Sequence, residues 1–150
     1  TGALATAAAD TWATAWGAGS RALPRHLLTG RPVPSGTSGG ITARGTLGAL
    51  VGACVTAAAS LPAGGVPLLA AGTGIGFGGM LLDSWLGAAA QGRFHCPACD
   101  VPSEWTRHRC GVRTRHLGGI RWLSNDGVNG LATTAGAWAG WLAWRCCSPS

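Results

Sequence analysis

Only five acidic side chains occur among 150 residues, and three of them, Asp10, Asp83 and Asp126, lie in or at the edge of apolar stretches. A charge at mid-bilayer costs about 2.5–3.5 kcal/mol even on the lenient insertion scale, so such residues typically face a cavity or a partner and mark function. Carboxylates accompanied by amides such as Asn125 and Asn129 are hard oxygen ligands suited to Mg²⁺, which leaves coordination sites for substrate phosphates. The same groups would serve the ion path of a transporter. The run Ser35–Gly40 (SGTSGG) places Gly36, Thr37, Ser38, Gly39 and Gly40 just before an apolar stretch. Free amides and hydroxyls at a helix start favour an anion, although a flexible connector is the plainer alternative. No Gly-Lys-Ser/Thr follows, so the run is not a Walker A loop.

The second chemical signal is sulfur. Cys96 and Cys99 form CPAC, and His108 and Cys110 form HRC eleven residues on. Two short knuckles supplying four soft or borderline ligands suit tetrahedral Zn²⁺. A reduced unmetallated loop and a redox pair are the alternatives, and His95 and His116 compete with His108 for the fourth position. Cys54 stands alone in an apolar stretch and reads as packing. GIGFGG (Gly74, Gly76, Gly79) matches the dinucleotide fingerprint in letters only, because that fingerprint needs a preceding strand and a βαβ unit.

The elements that position these groups follow from composition. Charged residues make up 11% of the chain and hydrophobic ones 47%, with mean hydropathy +0.25. A soluble domain carries about 25% charged residues. Gly45–Leu82 contains no Asp, Glu, Lys or Arg over 38 residues, enough for two crossings of about 20 residues each and a turn. Disordered, disulfide-stapled and typical nucleic-acid-binding classes are excluded, despite a net charge of +6 carried entirely by arginine. Helices are expected over 1–18, 45–61, 67–90 and 125–144, with PAGGVP as the turn between Pro62 and Pro67. Residues 19–44 and 91–121 are expected as polar loops.

The fold class is therefore an all-α polytopic membrane bundle of about four transmembrane helices. Residues 1–150 form one membrane domain, read as the C-terminal part of a longer protein, with 91–121 as a cytoplasmic Cys/His loop. The three loops carry four, no and six arginines in order, which places both Arg-rich loops on the cytoplasmic side. Trp138, Trp141 and Trp144 suit an interfacial belt. Helical periodicity sets Thr6, Asp10 and Thr14 on one stripe. It sets Gly72, Gly76, Gly79, Asp83 and Gly87 on a second, and Asp126, Asn129, Thr133, Gly136 and Gly140 on a third. Stripes of small residues face neighbouring helices in lipid, so the three predict one polar pocket opening at the loop end.

Taken in order, ADTWAT, PSGTSGGIT, GTLGAL, LLDSWLGA, HCPAC with HRCG, and GIRWLSNDGVNGLATTAGA resemble an integral membrane family of unknown function. Its plant members include the phytyl-phosphate kinase of tocopherol synthesis. The resemblance runs from about Leu4 to Ala139. Family members commonly carry Glu where this chain has Ala15, and further N-terminal helices. The resemblance implies phosphoryl transfer from a nucleotide, CTP or similar, to an isoprenoid monophosphate such as phytyl phosphate. Asp83 and Asp126 with Asn129 are then assigned to Mg²⁺, SGTSGG and Arg121 to phosphates, and Asp10 to the metal or the acceptor. The partners implied are the bilayer, a nucleoside triphosphate and a prenyl phosphate, with no nucleic acid. An ion-coupled transporter using the Asp residues, and a structural membrane protein, are the rival readings.

Overall fold

The computed structural model describes residues 1–147. Four helices dominate it: α1 (Gly2–Ala18), α2 (Ala43–Ala57), α3 (Leu61–Ala89) and α4 (Asn125–Cys147). Small sheets occupy the two polar connections. Between α1 and α2, β1 (Arg25–His26) pairs antiparallel with β2 (Gly40–Ile41). Between α3 and α4, β3 (Arg93–Cys96), β4 (Val101–Ser103) and β5 (Arg115–Gly118) form a three-stranded antiparallel sheet in the order β4-β3-β5. The all-α expectation is corrected to this extent. The strand signal in β3 is a short period-two alternation, Phe94 and Cys96 buried and Arg93 exposed, over too few residues to stand out from a charged loop.

The chain reverses inside PAGGVP, between Pro62 and Pro67, as expected. Thr42 is extended, and its hydroxyl accepts from the Gly45 amide at 2.9 Å, which starts α2; such a cap satisfies one of the helix's free donors. The helix ends at Ala57, a single 3₁₀ turn (Ala58–Ser60) follows, and α3 begins at Leu61. Pro62 sits in the first turn of α3, where its missing N–H costs nothing. The helical path is broken at the two central residues of that run, Gly64 (φ −156°) and Gly65 (φ +60°), the latter in a region that side chains with a Cβ rarely adopt. As one straight helix, the 47 residues Ala43–Ala89 would extend about 70 Å. They fold back into a hairpin, with Ala57 packed against Gly72.

Helices α1 and α3 each pack against all three others, and α2 and α4 flank that central pair. The buried faces are built from small residues: Gly2, Ala5, Thr6 and Ala9 on α1, Gly45, Gly48, Ala49 and Gly52 on α2, and Gly72, Gly76 and Gly79 on α3. Where lipid removes any hydrophobic incentive to associate, close backbone approach supplies the contact energy. The large apolar side chains point outward, Leu4, Val55, Val66 and Trp138 each being more than half exposed, the reverse of a soluble core. Among the described residues, Ala43–Ala89 is the stretch long and apolar enough to cross a membrane. The α2–α3 turn lies at one end of the bundle. Both Arg-rich connections lie at the other, where Gly39 presses on Ala88 and Arg44 donates to the Gly19 carbonyl at 2.7 Å.

Candidate functional site

At the loop end, a cavity of about 420 Å³ opens between the C-terminal ends of α1 and α3 and the N-terminal ends of α2 and α4. Asp10 and Thr14 line it from α1, Thr42 and Thr46 from the start of α2, Asp83 and Ser84 from α3, and Asn125 and Asn129 from α4. The whole run Ser35–Gly40 forms another wall. Gly39 is at φ +74° and so close to Ala88 that a Cβ would collide with it, which explains a glycine there. The Thr37 hydroxyl donates to the Pro34 carbonyl at 2.7 Å and stiffens the loop. A smaller compartment of about 110 Å³ lies deeper in the bundle and shares Asp10, Asp83 and Asn129 with the first. Asp83 Oδ1 is buried and has no hydrogen-bond partner.

Two residues assigned to the site by sequence lie outside it. Asp126 is exposed in the first turn of α4 and lines neither cavity. Successive helical residues are rotated by about 100°, and the inward face of α4 runs through Val128, Ala132 and Gly136 with Asn125 and Asn129 beside it. Asp126 therefore lies about a quarter turn away from this inward face. Arg121 is exposed and likewise lines neither cavity. No arginine is among the residues lining either space. In the opposite sense, Glu104 and Gln91 line the main cavity, and the sequence did not single them out. Gln91 is 3% exposed and its amide donates to Glu104 Oε1 at 3.5 Å. Glu104 follows β4 in a loop, so no helical periodicity points to it.

The second cluster assembles as its spacing implies. The ligand atoms of Cys96, Cys99, His108 and Cys110 all lie within 4.8 Å of one another. Cys96 Sγ is 3.6 Å from Cys110 Sγ, and His108 Nδ1 is 3.2 Å from Cys110 Sγ. Tetrahedral zinc–thiolate bonds of about 2.3 Å place sulfurs about 3.8 Å apart, so this Cys₃His group can hold a metal such as zinc. Two turns form the knuckles: the Asp100 amide donates to the Cys96 carbonyl at 2.9 Å, and the Gly111 amide to the His108 carbonyl at 2.8 Å. The competing histidines are engaged elsewhere. His95 pairs with Asp100 at 3.2 Å, and His116 packs on Phe94 with ring centroids 5.2 Å apart. The His108 hydrogen bond holds the Cys110 thiol down at about 6, whereas the bond to Cys110 pushes Cys99 up to about 11.

Small-residue helix packing, an outward-facing apolar surface and a polar cavity at the arginine-bearing end define an integral membrane protein. The chain belongs to the family described as integral membrane protein DUF92, which matches residues 1–137. It is also 32% identical over 136 residues to Protein PGR of Arabidopsis thaliana, the match covering 80% of this chain. The chain spans 45% of that relative's length. No solved structure matches it significantly.

Proposed function

We propose that the cavity is a phosphoryl-transfer site in which a nucleoside triphosphate, CTP or similar, meets an isoprenoid monophosphate such as phytyl phosphate. The observation that carries this reading is the convergence of Asp10, Asp83, Asn125 and Asn129 with the Gly-rich run Ser35–Gly40 around one space of about 420 Å³. Phosphoryl transfer asks mainly for positioning and for charge stabilisation around the phosphates. Backbone amides of Gly36–Gly40 would meet phosphate oxygens. With no arginine lining the cavity, the carboxylates have to work with a cation.

The donor set fits Mg²⁺: it consists of hard oxygens, and the buried Asp83 Oδ1 lacks a partner. Asp10 and Asp83 with Asn129 would hold the ion, and Asp10 takes the place that sequence reasoning gave to Asp126. When bound, Mg²⁺ supplies positive charge against the phosphate oxygens. The Cys₃His group would carry a structural Zn²⁺ that shapes the 91–121 connection. The proposed topology has four crossings, with both Arg-rich connections cytoplasmic by their arginine content. Helix α1, with 17 residues, reaches about 26 Å and would cross with its ends at the interface.

The test is incubation of the full-length protein in detergent with Mg²⁺, CTP and radiolabelled phytyl or geranylgeranyl monophosphate. Formation of the labelled diphosphate supports the reading, and its absence with intact, zinc-loaded protein overturns it. Ion flux through reconstituted vesicles without nucleotide consumption would instead favour the transporter.

A further inference from the structure

The smaller compartment is a second way to the same carboxylates. It is lined by Thr6, Ala7 and Thr11 of α1 and by Ala132 and Thr133 of α4, and it meets the main cavity at Asp10, Asp83 and Asn129. Ala7 and Thr11 are exposed on the flank of α1. Leu4, one turn before Ala7 on the same helical face, is 68% exposed. The opening is thus on the apolar side of the bundle, away from the Arg-rich loops.

The polar side chains around it differ in what they can offer a ligand. Thr11, Thr46, Thr56, Thr73 and Thr134 each donate their hydroxyl to the carbonyl four residues back. Thr6 does not: its Oγ1 is buried, the residue is 2% exposed, and the oxygen has no partner. That hydroxyl is wedged where α1 meets Gly79 and Gly136, so the polar groups open to a ligand in the compartment of about 110 Å³ are those of Asp10, Asp83, Asn129 and Thr133. By liquid volume that space equals three or four waters, roughly, which is the scale of a phosphate head.

We propose that this α1–α4 cleft is the acceptor subsite, admitting a prenyl monophosphate sideways from the bilayer while the nucleotide arrives through the loop-end cavity. The inference rests on the phosphoryl-transfer reading above. The head lies against Asn129 and Thr133, and the prenyl tail leaves past Ala7 and Leu4 into lipid. An acceptor phosphate oxygen then forms the bond to the γ-phosphorus and the bond from that phosphorus to the β,γ-bridging oxygen breaks. The prenyl diphosphate and the nucleoside diphosphate are released. Separate approaches to one carboxylate pair keep a water-soluble donor and a lipid-soluble acceptor from having to share a route.

Two measurements on the full-length protein test this. A geranylgeranyl monophosphate bearing a diazirine in its tail, photolysed with the protein and Mg²⁺, should label peptides of α1 and α4 around Leu4–Thr11 and Leu131–Ala135. Labelling confined to α2 and α3 overturns the proposal, whether or not the protein turns out to be a kinase. In the kinase assay, Ala7→Trp at the cleft mouth should raise KM for geranylgeranyl monophosphate while leaving KM for the nucleotide and for short, soluble dimethylallyl monophosphate unchanged. The isosteric Thr133→Val should raise KM for both acceptors roughly ten- to hundredfold, again without moving KM for the nucleotide. An unchanged long-chain KM in Ala7→Trp removes the lateral route and leaves the phosphoryl-transfer reading standing.

Discussion

Hydrogen bonding separates two neighbouring thiols: the His108 contact, with the Val112 backbone, holds Cys110 down at about 6, while the bond to Cys110 pushes Cys99 up to about 11. Only the thiolate attacks an alkylating agent. In metal-stripped protein at neutral pH, Cys110 should therefore be alkylated before Cys99, and its rate should fall as pH drops through about 6. Equal rates followed by mass spectrometry would contradict the His108 contact. Zinc bound by all four ligands should protect Cys96, Cys99 and Cys110 together, and metal analysis of each ligand variant reports the loss directly. The carboxylates divide in the same residue-by-residue way. On the proposed phosphoryl-transfer reading, Asp10→Asn or Asp83→Asn should lower turnover by about 10²- to 10³-fold, the double variant being little worse than either single one, as expected of a pair acting as a unit. Asp126→Asn removes only an exposed first-turn charge, worth about 0.3–1 kcal/mol to the helix, and should leave turnover within about threefold.

Between residues and the whole lie the helix crossings, which depend on absent side chains. A Cβ on Gly136 would run into Thr6 Oγ1 and come within 3.1 Å of the Gly2 carbonyl, and one on Gly79 would strike the Thr6 side chain. Gly136→Ala therefore has to part α1 from α4. Overpacking of this kind costs about 1–3 kcal/mol, to be read as a lower melting temperature in detergent. Gly130→Ala, with open space around its Cβ position, should be neutral or slightly stabilising, since Ala is the better helix former. At the start of α2, Thr42→Ala removes the bond to the Gly45 amide and should cost about 1 kcal/mol. Because Thr42 also lines the cavity, that variant tests whether the start of α2 must be held for the site to work.

At the scale of the molecule, the main cavity opens at the end of the bundle where the Arg-rich connections meet and reaches inward to Asp10, midway along α1, while the α2–α3 turn lies at the other end. If the arginines remain on the cytoplasmic side, a cysteine replacing Ser35 should resist an impermeant reagent in intact cells while one replacing Ala63 reacts. The opposite pattern would invert the topology. The sheet carrying the Cys₃His group reaches the cavity through Glu104, which follows β4 directly and meets the buried Gln91 amide. The metal group and the polar cavity are thus parts of one loop-end assembly.

What could be read from the chain without its fold was whatever local spacing determines. The uncharged run Gly45–Leu82 specified a pair of apolar helices, and CPAC with HRC specified a ligand set because two short knuckles need no distant partner. The inward stripes of α1 and α3 followed from the helical repeat, with Thr6 and Gly79 both buried where those helices meet. Features that depend on relative rotation and long-range approach were decided only in three dimensions. Asp126 and Asn125 are adjacent in the chain, yet only Asn125 faces the cavity, because α4 is rotated to bury Val128 and Ala132 against its neighbours. Glu104 comes to the cavity from a loop with no periodicity. Helical spacing tells which residues share a face; packing against the other helices determines which face turns inward.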